Sequence, residues 1–176
     1  RTQVALNLAR CLEKTGRPGE ALEAYEMACR VNPEHPLVLR GYAQALMRRG
    51  DFAQADERWN GLRRLFPDDL EITWEQGNSL ALAGRHREAL SCYQQVLAGK
   101  GALFLRARAE YGRALAFHSL GDRARSLQAR EAAQRILAAL LQEDPGQEEA
   151  RRWLAFLREP SEIPSPIPVG DGRGGK

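Results

Sequence analysis

The chain has 176 residues, 43% of them hydrophobic and 28% charged, a globular composition of about one domain's length. Its 26 basic and 23 acidic residues leave a net charge of +3 spread evenly along the chain, which does not signal a basic surface for nucleic acid or membrane, and no nucleic-acid partner or membrane insertion is expected. No apolar run approaches the ~20 residues of a membrane-spanning helix, and three cysteines (Cys11, Cys29, Cys92) form neither a disulfide framework nor a metal knuckle.

Apolar spacing predicts helices over 3–15, 19–31, 37–49, 53–65, 71–83, 87–98, 103–120, 123–142 and 147–158. The helices come in pairs, and the pairs repeat. The dipeptides Gly16-Arg17, Gly50-Asp51, Gly84-Arg85 and Gly121-Asp122 set the register, with glycine spacings of 34, 34 and 37. Seven residues before each glycine stands a small residue: Ala9, Ala43, Gly77, Ala114. Four before it stands a large apolar one: Leu12, Leu46, Leu80, Phe117. Five after it comes another small residue: Ala21, Ala55, Ala89, Ser126. Nine after it come Tyr25, Trp59, Tyr93 and then Arg130, and twelve after it Ala28, Leu62, Val96 and Ala133. Glycine can adopt the positive φ that ends a helix sharply. The small residues let two helices approach where they cross, and the large ones fill the space beside the crossing. Pro33 and Pro67 stop the second helix of their repeats.

This pattern resembles the tetratricopeptide repeat (TPR) over about residues 2–158. It departs from it in three places: no tryptophan early in the first helices (Ala5, Leu39, Thr73 and Glu110 stand there), Lys100-Gly101 where proline is usual, and Arg130 in place of an aromatic. The resemblance implies an all-α, right-handed TPR superhelix, an α-solenoid of antiparallel helix pairs. Its repeats run about 2–35, 36–69, 70–103 and 104–145, followed by a capping helix over 147–158. In that helix Ala150, Trp153, Leu154 and Leu157 form the apolar stripe. The fourth repeat is irregular and elongated. Its two insertions fall at the same end of an antiparallel hairpin, bringing Phe104 and Leu105 against Ile136, Leu137, Leu140 and Leu141. That cluster either buries itself or forms a protruding hairpin that docks another domain. Residues 159–176 are rich in Pro and then Gly, and read as a tail or linker that favours extended polyproline II or lies in a groove.

No catalytic constellation is present. His35, His86 and His118 lack the spacing of a helical zinc site, and there is no phosphate loop, GxSxG or Cys-His signature. No enzyme activity, metal or cofactor is expected. By register Cys11 and Cys29 are expected to be buried and Cys92 nearer the surface.

By resemblance, the first helices of successive repeats line a concave groove that binds peptides. The positions it assigns to that groove include Gln3, Asn7, Arg10, Glu13 and Lys14, then Leu37, Arg40, Gly41, Gln44, Met47 and Arg48. Glu71, Trp74, Glu75, Asn78 and Leu82 follow, and finally Arg108, Tyr111, Gly112, Leu115 and His118. A clamp for a chaperone's C-terminal carboxylate would need bases where Leu6, Arg10, Gly41, Glu71 and Glu75 stand, so that ligand is excluded. The expected ligand is an extended protein segment. Its apolar side chains would stack on Trp74 and Tyr111, and its acidic end would meet Arg10, Arg40 and Arg48. Two other readings stand beside this one: the substrate-recognition region of a larger enzyme (glycosyltransferase, sulfotransferase or kinase), and a self-association module acting through the fourth hairpin or the tail. Residue 1 is Arg and no signal peptide opens the chain, which reads as a fragment or a processed form. Free cysteines favour the cytoplasm, with a periplasmic home left open.

Overall fold

A computed structural model describes residues 1–158, so the Pro/Gly-rich tail lies outside the described residues. Within them the chain is all α: α1 (Thr2–Lys14), α2 (Pro18–Val31), α3 (Pro36–Arg49), α4 (Phe52–Leu65), α5 (Leu70–Leu82), α6 (His86–Ala98), α7 (Leu103–Ser119), α8 (Arg123–Glu143) and α9 (Glu148–Arg158). Odd and even helices pair as antiparallel hairpins, each packed on the next, which makes a TPR solenoid.

One local device closes the first helix of every repeat. Gly16, Gly50, Gly84 and Gly121 have φ of 74°, 87°, 77° and 79°. At each glycine, two amides fold back onto the helix end. The Gly16 N–H donates to the Glu13 carbonyl at 3.2 Å and the Arg17 N–H to the Leu12 carbonyl at 2.9 Å. The same pair of bonds recurs at Gly50, Gly84 and Gly121. This is the Schellman arrangement, and it needs a left-handed residue at the turn.

The helix crossings then seat the small residues. Ala9, Ala43, Ala21, Ala55 and Ala89 have no exposed surface. Ser126 takes the same slot in repeat four and satisfies its hydroxyl by donating to the Ala114 carbonyl at 2.8 Å. The core follows the repeats in three clusters: one through repeats one and two that reaches Ile72 of α5, one around α5, α6 and the start of α7, and one joining α7, α8 and α9. Between the first two lies a polar junction. Gln76, 5% exposed, donates from Nε2 to Asp56 at 2.9 Å and to Asn60 at 3.0 Å, and accepts from Arg63 at 3.1 Å.

Repeat four is elongated as its sequence requires, with 17 residues in α7 and 21 in α8. Arg130, which replaces the usual aromatic, has a distinct task. It donates to the Leu157 carbonyl at 3.1 and 2.7 Å, and Gln134 joins it at 2.6 Å, so both cap the C-terminal end of α9. The cysteines correct the sequence expectation. Cys92 is buried, Cys29 half-buried and Cys11 exposed. Cys92 packs at the α5–α6 crossing beside Gly77, and its burial pushes the thiol pKa up. Cys11 lies on a face of α1 that no described helix covers.

Candidate partner-binding groove

The face that the repeat register assigns to the candidate groove lies on α1, α3, α5 and α7. These helices are tied side to side by polar bridges. Glu13 of α1 pairs with Arg48 of α3. Gln44 of α3 donates to Glu75 of α5 at 3.0 Å, and Arg108 of α7 approaches Glu71 of α5 at 3.4 Å. Each bridge joins neighbouring repeats, so this charge network sets helix spacing as well as surface potential.

Two phenols reach the groove from the second helices. Tyr25 extends past Gly41 to donate to Glu13 at 3.2 Å, and Tyr93 passes Gly112 to donate to Asn78 at 2.8 Å. Both rings are buried, and burial raises both phenol pKa values. Glu75 occupies the position of Gly41 and Gly112 at the junction between them. Burial raises its carboxyl pKa, while Arg40 and the Gln44 amide pull it back down.

The structure overturns the aromatic anchors. Trp74 is 6% exposed, with the Arg108 guanidinium over its ring, 3.6 Å from the centroid. Tyr111 is 2% exposed, enclosed edge-on by Trp153 at 5.5 Å and Phe156 at 5.9 Å, both from α9. Neither ring offers a face to a ligand. The apolar side chains exposed on the groove are Leu37 and Leu82 instead.

The other groove residues divide by environment. Arg10 and His118 are exposed; Arg40, Gln44, Met47, Glu75 and Asn78 are half-buried. Arg48 and Glu71 are exposed, each in an ion pair. Arg10, Lys14 and Arg40 make no ion pair among the described residues. Over repeats one and two the candidate groove therefore presents Arg10, Lys14, Arg40 and Arg48 against Glu13, which is bridged, while Glu75 of repeat three stands near Arg40. Gly41 and Gly112 are the residues that sequence reasoning undervalued. Their signal was present, since both stand nine residues before a repeat glycine.

The docking-hairpin reading is also corrected. Phe104, Ile136 and Leu140 pack in one cluster with Tyr111, Leu137 and Leu141 beneath α9, with Phe104 edge-on to Trp153 at 6.1 Å. Leu105, 5% exposed, turns the other way into the cluster around Trp74 and Val96. The insertion is consumed in holding the cap.

Among the described residues no cluster of three or more His, Cys, Asp or Glu side chains could hold a metal ion. No described helix is long and apolar enough to cross a membrane.

Comparison with known proteins agrees with this architecture. Two tetratricopeptide-repeat family models match residues 2–45 and 42–102. No curated protein matches the chain. Among solved structures, a MamA RS-1 ArsTM double mutant is 22% identical, with a TM-score of 0.67 over 89% of this chain and 82% of that one. MamA 41-end from Desulfovibrio magneticus RS-1 is 22% identical, with a TM-score of 0.66 over the same shares, 89% and 82%. A tetratricopeptide repeat protein from Parabacteroides merdae ATCC 43184 is 20% identical, with a TM-score of 0.63 over 89% of this chain and 57% of that one. At these identities the likeness concerns the fold.

Proposed function

The chain belongs to the tetratricopeptide-repeat family, and we propose that it is a non-catalytic interaction scaffold whose groove binds an extended segment of a partner protein. The basic surplus of repeats one and two carries this reading: Arg10, Lys14 and Arg40 stand on the groove without an ion-pair partner among the described residues. A cation held on a helix face without an ion-pair partner is a ready site for a carboxylate, most freely at Arg10 and Lys14, since Arg40 also acts on Glu75. The segment expected here is acidic where it crosses α1 and α3, with apolar side chains meeting Leu37 and Leu82 rather than buried rings. The helices stay fixed, so little ordering entropy is lost on the scaffold's side.

An array of extended peptides varied in charge and apolar content tests this. Acid-rich sequences are expected to bind. An Arg10→Glu/Arg40→Glu variant is expected to lose at least about tenfold in affinity, with a weaker salt dependence than the parent. Binding indifferent to peptide acidity, or unchanged in that variant, would overturn the groove reading.

A further inference from the structure

We propose that the seam between α7 and α8, on the side facing away from the candidate groove, is a second docking surface, which takes an acidic segment of a partner protein between Arg106 and Arg135. Arg106, Glu110, Arg113 and Phe117 stand at i, i+4, i+7 and i+11 on one stripe of α7. By helical rotation that stripe lies opposite Arg108, Tyr111 and Leu115. It also lies opposite the apolar cluster beneath α9, so it is a different surface from the one that Trp153 closes. Two α8 side chains reach it. Arg125 lies over the Phe117 ring, 4.9 Å from the centroid, and Arg135 acts on the Glu110 carboxyl.

The same seam is sealed one junction earlier. Gln76, the counterpart of Arg113, is 5% exposed and donates to both Asp56 and Asn60 of α4. On α6 the positions of Asp56, Asn60 and Arg63 hold Leu90, Gln94 and Leu97, so the acid that helps seal the earlier junction has no equivalent here. On α7 the counterparts of Asp69, Thr73 and Gln76 are Arg106, Glu110 and Arg113. A seam centred on a buried amide has become one centred on guanidinium groups, and it is more open: the Arg113 side chain is 26% exposed.

The charges here are unevenly matched. Asp122 holds Arg125 at 2.5 Å, and Glu110 holds Arg113 at 2.9 Å. Glu131 approaches Arg135 only at 3.9 Å, and the Arg135 side chain is 70% exposed. Arg106 makes no ion pair among the described residues. Its Nε is buried and has no hydrogen-bond partner, so a carboxylate at its Nη groups would supply a counter-charge that the seam does not. Glu110, 12% exposed, stays beneath these cations. Burial pushes its carboxyl pKa up, while Arg113, Arg106 and Arg135 pull it back down. Its presence selects the ligand. A dense polyanion such as a nucleic-acid backbone would set its phosphates against Glu110, whereas a protein segment with single, spaced carboxylates straddles it.

Fluorescence anisotropy of a labelled peptide of alternating Glu and Ser is the test, with the full chain carrying Arg10→Glu/Arg40→Glu so that the candidate groove does not contribute. Binding is expected to persist in that background and to weaken at least about fivefold when Arg106→Gln/Arg135→Gln is added. Arg135→Gln alone, at a largely exposed side chain, should weaken it in the same direction. Arg64→Gln, at an exposed cation on α4, should leave it unchanged. Circular dichroism checks that each variant keeps its helix content. No binding in the groove-blocked background, or an affinity indifferent to Arg106→Gln/Arg135→Gln, would overturn the proposal and leave the groove reading standing. In the parent chain, a loss caused by Arg106→Gln/Arg135→Gln but not by Arg10→Glu/Arg40→Glu would support the seam and overturn the groove. A single-stranded oligonucleotide that binds the seam more tightly than the peptide would overturn its assignment to a protein segment.

Discussion

The ring of Tyr93 lies on the bare backbone of Gly112, so close that a Cβ there would stand 2.6 Å from the tyrosine Cζ. Tyr25 and Gly41 repeat the relationship, with 2.6 Å from an added Cβ to Cε1. Both rings are at most 2% exposed and cannot swing outward without leaving the core. Gly112→Ala and Gly41→Ala are therefore each expected to cost about 1–3 kcal/mol of stability by overpacking. Gly19→Ala, with open space around its Cβ and a helical backbone, is expected to be neutral or to gain up to about 1 kcal/mol. Urea unfolding of the three variants distinguishes a packing requirement from a general preference for glycine.

How much of this was legible in the sequence depends on how far away the deciding partner lies. The repeat glycines were legible because the positive φ is a demand on the residue itself, and helix boundaries followed within a few residues. The fate of Trp74 was not, because it is set by Arg108, one repeat further on, folding over its ring. Tyr111 was misread for a similar reason: α9 reaches back to enclose it. The cysteines failed at the repeat level. Register gives the face a residue occupies, but Cys11 lies on a face whose covering helix is absent from the described residues.

The Arg108–Trp74 stack gives the second prediction. The guanidinium closes the indole with a cation–π contact and also approaches Glu71. Arg108→Ala is expected to uncover the ring at a cost of about 0.5–2 kcal/mol. Its readouts are stronger acrylamide quenching and red-shifted tryptophan emission, set against a Trp74→Phe/Arg108→Ala control. An unchanged spectrum would mean that neighbours other than Arg108 bury the indole. If the groove takes an acidic segment, this variant should alter binding far less than Arg10→Glu/Arg40→Glu.

Glu75 provides a pH prediction. Burial raises its folded-state pKa above the ordinary 4.5, so the folded chain holds this proton where the unfolded chain has released it. Stability must then fall as pH rises from about 4.5 through the raised value, and the loss persists above it. Glu110 is shifted the same way, also first by burial. The informative quantity is thus the difference between the parent and Glu75→Gln, whose amide can still accept from Gln44. Glu75→Gln is expected to gain relative stability through that window and to keep it at neutral pH. A difference that does not vary with pH would show that burial does not govern this carboxyl.

Trp153 tests whether the last helix holds the solenoid end or merely rests on it. Its ring meets Tyr111 and Phe104 edge-on, and Arg130 and Gln134 fasten the other end of α9 through the Leu157 carbonyl. Because the core is divided by repeat, damage at this end should stay local. Trp153 is only partly buried, so Trp153→Ala is expected to cost about 1–3 kcal/mol in the last cluster, below the range for truncating a fully buried aromatic. Amide exchange should then quicken in α9 and the adjoining halves of α7 and α8, while α1 to α4 keep their protection. Cooperative loss across all repeats would instead mean that the cap stabilises the whole stack, with the Gln76 junction carrying that coupling between repeats two and three.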